Sequence, residues 1–336
     1  MPAEWEPHQA TWLTWPHCDD TWPGEVEAVV PAYLAMIEAL RSGETVYVST
    51  LDEAHCEAVR ERLREANIAT GPGSTVQLHV LPTDDEWIRD YGPLVVRNHN
   101  GLAVTDWLFN AWGEKYDRPG PNNTVSAAIA ARLNLPRFDC PIVLEGGSID
   151  VNGQGLALTT SCLLHPNRNP GLSQAEIETW LGEGLGIEEI VWLGDGIVGD
   201  DTDGHIDDLT RFVAPDTVVT VVEVDPTDAN YAPLRENRER LRRYRTRSAS
   251  PLRVIELPMP APVLHKGERL PASYANFYLG NAVLLLPVFA DPNDAVAEER
   301  LQALFPTRRV VPIDARLLVR GRGACHCLTQ QIPASP

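Results

Sequence analysis

This 336-residue sequence lacks the features of a membrane or secreted protein. Its longest apolar stretch, at residues 281–290, is far shorter than the roughly 20 residues that a membrane span needs. Residues 1–7 contain neither a basic head nor an apolar run, so no secretory signal peptide is visible. The six cysteines are scattered along the chain rather than arrayed as a small disulfide scaffold. We therefore expect a cytoplasmic protein without membrane partners.

Positive charge is scarce as well, with 28 lysines and arginines against 47 aspartates and glutamates. The net charge of −19 repels nucleic-acid phosphates and attracts small cations, although an acidic surface also serves solubility alone. A basic run at residues 235–247 (RENRERLRRYRTR) is interrupted by acidic residues, which is typical of a solvated helix face. The sequence thus argues against nucleic-acid partners and favours a small cationic ligand.

Strand-like and helix-like patterns alternate along the chain, which predicts an α/β protein. A prior of about 150 residues per domain suggests two domains, but no long linker divides the sequence. We expect strands, rich in β-branched and aliphatic residues, at residues 45–51, 75–81, 101–105, 155–160, 217–224, 253–257 and 282–288. We expect helices at residues 25–41, 52–66, 173–181, 231–247 and 294–304, with Pro31 as a candidate end or kink in the first.

Four polar clusters lie at or beside the ends of predicted strands, where functional groups tend to collect in loops. They are residues 84–93 (DDEWIRDYGP), 145–148 (EGGS), 200–208 (DDTDGHIDD) and 321–331 (GRGACHCLTQQ). In an extended segment residues i and i+2 share a face, so His205 and Asp207 are predicted to point into one site. Such a pair serves as a proton shuttle, as metal ligands or as a structural pair. Cys327, in a loop with Gly321 and Gly323, fits either a nucleophile or an ordinary turn.

In their order along the chain, these clusters resemble the agmatine deiminase family, which includes bacterial peptidyl-arginine deiminases. The resemblance runs almost from end to end, and the ordered set of short pieces is specific. The further pieces are residues 1–8 (MPAEWEPH), 11–16 (TWLTWP), 106–107 (DW), 109–113 (FNAWG) and 167–170 (NRNP). The resemblance implies a pentein fold formed by one domain, residues 1–336. This fold is a five-bladed, pseudo-symmetric α/β propeller of βαβ-like modules around a central active-site channel.

The resemblance also implies roles for matched positions, and it requires neither a metal nor an organic cofactor. The matched residues are Cys327 as nucleophile, His205 as acid/base, Glu145 as its acidic companion, Asp90 and Asp207 as guanidinium clamps, and Trp87 as a pocket wall. Purely structural roles stay open for Glu145, in a turn, and for Trp87, in the core. We add Asn276 as a residue that would order the substrate site. Asp200 and Asp201 would either receive the far amine of agmatine or solvate a loop.

The chemistry of a guanidinium group gives these residue types a physical reason. The group is planar and charged, and its N–H forks match carboxylates, so two aspartates would fix its plane. Resonance makes the central carbon a poor electrophile, which calls for a thiolate, favoured by a bound cation or a protonated His205. Attack by Cys327, ammonia loss after proton donation by His205, and hydrolysis of an amidino-cysteine would convert agmatine to N-carbamoylputrescine.

The sequence departs from the family's usual Gly-Gly-Gly-Asn-Ile-His-Cys before the nucleophile. Arg322, Ala324 and Cys325 replace a glycine, the asparagine and the isoleucine. If this segment is extended, Cys325 and Cys327 face the same side, and an oxidised, inactive pair is then a hypothesis.

Three other interpretations stay open. The first is a deiminase of peptidyl-arginine, free arginine or another guanidine. The second is a metal-dependent hydrolase built on His205, Asp207, His326 and nearby thiols, although no paired Cys-x-x-Cys spacing appears. The third is a non-catalytic polyamine-binding protein. A homo-oligomer is compatible with all of them.

Overall fold

The computed structural model describes residues 1–71, 73–116 and 120–335. The strands are β1 (His8–Thr14), β2 (Thr45–Thr50), β3 (Val76–Val80), β4 (Leu94–Asn98), β5 (Gly101–Leu108), β6 (Arg137–Val143), β7 (Ile149–Val151), β8 (Leu156–Thr159), β9 (Glu189–Trp192), β10 (Thr210–Ala214), β11 (Thr217–Val222), β12 (Arg253–Pro258), β13 (Leu264–His265), β14 (Glu268–Arg269), β15 (Tyr278–Leu279), β16 (Val283–Val288), β17 (Arg309–Asp314) and β18 (Gln330–Pro333). The helices are α1 (Val26–Leu40), α2 (Glu53–Glu65), α3 (Ile88–Tyr91), α4 (Ala111–Glu114), α5 (Asn122–Arg132), α6 (Gln174–Leu185), α7 (Tyr231–Arg243) and α8 (Asn293–Leu304). None of the helices in this described part of the chain has the length and apolar character needed to cross a bilayer.

Five of the sheets repeat one topology, in which an antiparallel strand pair is followed by a parallel pair. Their strand orders are β4-β5-β6, β7-β8-β9, β10-β11-β12, β15-β16-β17 and β18-β1-β2-β3. In the last sheet, β18 pairs antiparallel with β1, so the two ends of the chain complete a single unit. A separate two-stranded hairpin, β13-β14, completes the set of strands. The repeat is structural, since no exact repeat is legible in the sequence.

Each parallel pair is joined by a helix, as parallel strands require a long crossover connection. Helices α1, α2, α5, α6, α7 and α8 join β1 to β2, β2 to β3, β5 to β6, β8 to β9, β11 to β12, and β16 to β17. The strands carry mostly buried aliphatic residues; every residue of β11, for example, is buried. This arrangement confirms the α/β class that the alternating sequence pattern predicted.

Some helices end at residues other than those expected from the sequence, and several elements were not expected at all. Helix α1 continues through Pro31, because its apolar face is buried and the loss of one backbone hydrogen bond is tolerated. Helix α7 ends at Arg243, four residues before the expected end at residue 247. The pattern missed helix α5 and several strands, among them β1, β17 and β18. Residues 206–208, expected to be extended, form a short 3-10 turn.

Helix α6 begins with a capping box, in which a side chain and a backbone group of two residues bond reciprocally. Ser173 Oγ accepts a hydrogen bond from the Glu176 backbone, and Glu176 Oε2 accepts one from the Ser173 backbone at 2.8 Å. We expect Ser173→Ala to lower the free energy of unfolding in urea by about 1 kcal/mol. Gln174→Ala, at the next and exposed position, is the control and should change it by less than about 0.5 kcal/mol. Equal effects of both changes would contradict the capping role.

Candidate active site

The predicted site residues lie in the segments that link one sheet to the next. Asp90 lies on α3 between β3 and β4, and Glu145 lies between β6 and β7. His205 precedes β10, Asn276 precedes β15, and Cys327 precedes β18. Each of the five linking segments therefore supplies at least one predicted residue. Residues far apart in sequence are brought together because the repeated topology returns the chain to the same side.

Gly147 marks the point where three of these side chains meet. A Cβ atom at Gly147 would lie 2.6 Å from His205 Nδ1, 2.8 Å from Asp90 Oδ1 and 3.1 Å from Asp207 Oδ2. Any side chain there would clash, so the glycine permits this close approach. His205 and Asp207 thus approach the same point, and the 3-10 turn, not an extended segment, brings them there.

Asp90 is buried and is held by two donors. Its Oδ1 accepts a hydrogen bond from the Gly147 backbone at 2.9 Å, and its Oδ2 accepts one from Trp112 Nε1 at 2.8 Å. Burial raises the pKa of Asp90 to about 6, because His205 offsets only part of the cost of burying the charge beside Asp207. A cation bound here would favour the ionised carboxylate.

His205 lies between carboxylates and is protonated at neutral pH. Its Nδ1 is 3.7 Å from Asp90, and its Nε2 is 3.9 Å from Glu145 Oε2, which is too long for a good hydrogen bond. Burial alone would lower the pKa of His205, but Asp90, Glu145 and Asp207 outweigh it and raise this pKa to about 10. The imidazolium is therefore available as a proton donor.

Glu145 is fixed by an arginine that sequence reasoning did not assign. Arg168 Nε donates to Glu145 Oε1 at 2.6 Å, and both side chains are fully buried. Burial opposes ionisation of Glu145, yet His205 and Arg168 lower its pKa below the usual value. Glu145 thus remains a carboxylate whose second oxygen, Oε2, faces His205.

Cys327 has its sulfur beside an amide and a carboxylate. Asn276 Nδ2 donates to Sγ at 3.0 Å, and the thiol reaches Asp207 Oδ2 at 3.5 Å. Burial and the charges of Asp207, Asp208 and Asp90 raise the pKa of Cys327 well above its ordinary value, against the opposing effect of Asn276. In the unliganded protein this thiol is therefore protonated.

The segment around Cys327 is a turn, so the extended geometry that would place Cys325 and Cys327 on the same side is not present. Leu328 N donates to Ala324 O at 3.3 Å, and Thr329 N donates to His326 O at 3.1 Å. All six cysteines are free thiols, Cys325 and Cys327 included. The oxidised pair that we considered for these two residues is therefore absent from this structure.

Three buried polar atoms at this site have no hydrogen-bond partner among the described residues. They are Asp207 Oδ1, Glu145 Oε2 and His205 Nε2. Buried polar groups are normally satisfied, and unsatisfied ones call for an explanation such as a bound ligand. Two acceptors and one donor of the predicted site residues are thus available to a bound ligand.

A pocket leads from the protein surface to Cys327. Trp87 and Trp112 line it together with Asp90, and Trp87 also packs on Trp22 with ring centroids 5.7 Å apart. Trp87 is therefore both a core residue and a pocket wall, which joins the two roles considered for it. Asn276 lies behind the sulfur and does not line the pocket.

The outer end of the pocket carries both signs of charge. Asp20 and Asp201 line it, together with Arg320 and Arg322. Asp201 Oδ2 accepts a hydrogen bond from Tyr116 and lies 3.6 Å from Arg322 Nε. Asp200 is not in the pocket wall: its carboxylate binds the Thr202 and His205 backbone N–H groups and so orders the loop.

Three residues that bond to the site carry no predicted role from the sequence. They are Trp112, Arg168 and Glu4, which lie within the short pieces that resemble the family. The only available signal was the matching piece itself, because their partners lie 22 to 322 residues away in sequence. Across the described part of the chain, no group of three or more His, Cys, Asp or Glu side chains is arranged to hold a metal ion.

Similarity to a known protein family identifies the class to which this chain belongs. The model of the Porphyromonas-type peptidyl-arginine deiminase family matches residues 1–333, and the chain belongs to this family. A curated Legionella pneumophila protein named "Putative agmatine deiminase" is 36% identical over all of this chain and 95% of its own length.

Solved structures agree with this assignment. The agmatine deiminase of Enterococcus faecalis has a TM-score of 0.92 and 31% identity over 99% of this chain and 95% of that one. A cysteine-to-serine variant of C. jejuni agmatine deiminase with substrate bound has a TM-score of 0.88 and 31% identity, with the same coverage. The family expected from the sequence is confirmed.

The raised pKa of Cys327 can be tested directly. Because only the thiolate reacts, we expect iodoacetamide to modify Cys327 slowly at pH 7 and progressively faster above pH 9. Peptide mass spectrometry would follow the residue, with glutathione as the reference thiol and the shape of the pH profile as the readout. A rate that already reaches its plateau at or below pH 7 would show a resident thiolate and contradict this assignment.

Proposed function

We propose that this protein is an agmatine deiminase, a hydrolase that converts agmatine to N-carbamoylputrescine and ammonia. The observation that carries the proposal is a set of buried, unpartnered atoms at this site. They are Asp207 Oδ1, on the carboxylate whose other oxygen faces the Cys327 thiol, and Glu145 Oε2 and His205 Nε2, which face each other at 3.9 Å. A guanidinium group satisfies the acceptors with its N–H groups and supplies the cation that the buried carboxylates lack. Similarity to structures of agmatine deiminases supports agmatine as the bearer of this group.

Asp90 and Asp207 are the proposed clamps for the guanidinium plane. Both are buried, and both approach Gly147, so the group would lie between them and next to Sγ. Asp207 Oδ1 has no partner among the described residues, and Asp90 keeps spare lone pairs beyond its bonds to Gly147 and Trp112. Such clamping orients the central carbon toward the sulfur and lowers the entropic part of the barrier.

Arrival of the cation also activates the nucleophile. It offsets the negative charges that raise the pKa of Cys327 and so favours the thiolate, whose proton is released to solvent. The sulfur then attacks the guanidinium carbon, and protonated His205 donates its proton to the departing nitrogen, which leaves as ammonia.

The second half of the reaction uses the same residues. Neutral His205 takes a proton from a water molecule, which attacks the amidino carbon of the covalent Cys327 intermediate. The carbon–sulfur bond breaks with its electron pair on sulfur, and the hydroxyl proton of the adduct moves to that thiolate. This releases the carbamoyl product and restores the Cys327 thiol and protonated His205. Glu145, held by Arg168, stabilises the imidazolium each time it forms.

The finer architecture is also part of the proposal. We propose that the five sheets are the blades of a pseudo-fivefold pentein propeller formed by one domain, residues 1–336. Support comes from the topology shared by the five sheets and from the linking segments that all reach one site. A cytoplasmic location is proposed as well, in keeping with six free thiols.

Cys327 and Cys325 form a matched pair for testing the nucleophile. We expect Cys327→Ser to abolish ammonia release from agmatine while leaving the fold intact, because a hydroxyl does not replace the thiolate. Cys325→Ala should retain most activity, since Cys325 is buried and does not line the pocket. Full activity in Cys327→Ser would overturn the mechanism.

Free arginine and a peptide ending in arginine should be assayed alongside agmatine, and a preference for either would replace agmatine as the substrate.

The far amine of agmatine is proposed to bind near Asp201 at the outer end of the pocket. We expect Asp201→Asn to raise KM for agmatine about threefold to fivefold, as expected for loss of a partly exposed ion pair. The KM of butylguanidine, which lacks the amine, should not change. Asp20→Asn is the matched control, since Asp20 lines the same opening. A larger effect of Asp20→Asn would place the amine beside Asp20 instead.

A further inference from the structure

The histidine next to the nucleophile lies between two buried carboxylates. His326 Nδ1 is 2.7 Å from Asp207 Oδ2, and His326 Nε2 is 2.8 Å from Glu4 Oε2. The side chain of His326 is 3% exposed. Both distances are those of charge-assisted hydrogen bonds. Glu4 is thereby connected to Asp207 through His326, which lies 322 positions away from Glu4 in sequence.

The carboxylates on the two sides of His326, Glu4 and Asp207, both have lowered pKa values. Burial opposes ionisation of Glu4, but Arg211 and His326 lower its pKa well below the usual value, and Arg211 lies 2.9 Å from it. Burial likewise opposes ionisation of Asp207, but His326 and His205 lower its pKa. An ionised carboxylate only accepts hydrogen bonds, so each carboxylate fixes the ring nitrogen that faces it.

We propose that Glu4 and His326 are positioning residues of the hydrolysis: Glu4 orients His326, and His326 holds Asp207 with one oxygen free to receive the guanidinium group. The inference rests on the proposed function and extends it to residues whose side chains do not touch the substrate. Glu4 is further fixed by the Leu279 backbone N–H at 2.9 Å, so the anchor of this relay is itself rigid.

The geometry explains why the relay matters. Asp207 Oδ2 accepts from His326 and faces the thiol at 3.5 Å, whereas Oδ1 has no partner in the described part of the chain. Without the donor on His326, the carboxylate would be free to rotate and to bind the thiol with either oxygen. Substrate binding would weaken, because the aspartate no longer presents a fixed acceptor.

Two replacements of His326 separate positioning from a merely structural role. His326→Asn keeps an N–H donor near the Nδ1 position, toward Asp207, and His326→Gln keeps one near the Nε2 position, toward Glu4. We expect His326→Gln to raise KM for agmatine about tenfold to a hundredfold above wild type. His326→Asn should recover most of this loss. Equal KM values for the two variants would overturn the role of His326.

Glu4 is tested by its coupling to His326. Because Glu4 acts through the ring, we expect the double variant Glu4→Gln/His326→Gln to be no worse than His326→Gln alone. Effects that multiply would show that Glu4 acts independently and would overturn the relay. Thermal unfolding identifies variants that fail to fold. If the Glu4 variants fail to fold, the comparison of His326→Gln with His326→Asn tests the relay.

Wild-type ammonia release from agmatine is measured first in this series. Its absence would overturn the proposed function and, with it, this inference. An active wild type with an unaffected His326→Gln variant would overturn the relay alone.

Discussion

The structure depends on the burial of several negative charges in a small volume. Asp90, Glu145 and Asp207 surround His205 in the interior, where an isolated carboxylate is strongly unfavourable. Buried cations such as Arg168 compensate part of this charge. We propose that a flat cation beside the Cys327 sulfur compensates the remainder. On this proposal, substrate binding and activation of the nucleophile are one electrostatic event, since the cation that pairs with the carboxylates also favours the thiolate.

The repeated topology makes this concentration of charge feasible. Each unit supplies a rigid sheet and helix, and each linking segment supplies a short turn that carries one or two functional side chains. Small residues at the crossing points, above all Gly147, let the turns approach within contact distance. The proposed acid/base, its companion carboxylate and the proposed nucleophile thus come from different units, and no local piece of sequence contains all of them.

Much of the fold and site could be predicted from the sequence, and the failures have physical causes. Strands with continuous aliphatic runs, such as β16, were found because burial on both faces determines their composition. Strand β18 was missed because its residues, Gln330–Pro333, carry little of that signal and pair only with β1. Trp112, Arg168 and Glu4 received no role because each acts on a partner distant in sequence. His205 and Asp207 approach the same point, but through a turn that the i, i+2 rule does not describe.

A crystal structure of the Cys327→Ser variant with agmatine bound would test the central claim most directly. The account predicts the guanidinium plane between Asp90 and Asp207, with its carbon about 3–3.5 Å from the serine Oγ. It also predicts a hydrogen bond from the guanidinium to Asp207 Oδ1. A guanidinium group bound at the outer end of the pocket, with the amine directed inward, would contradict the account.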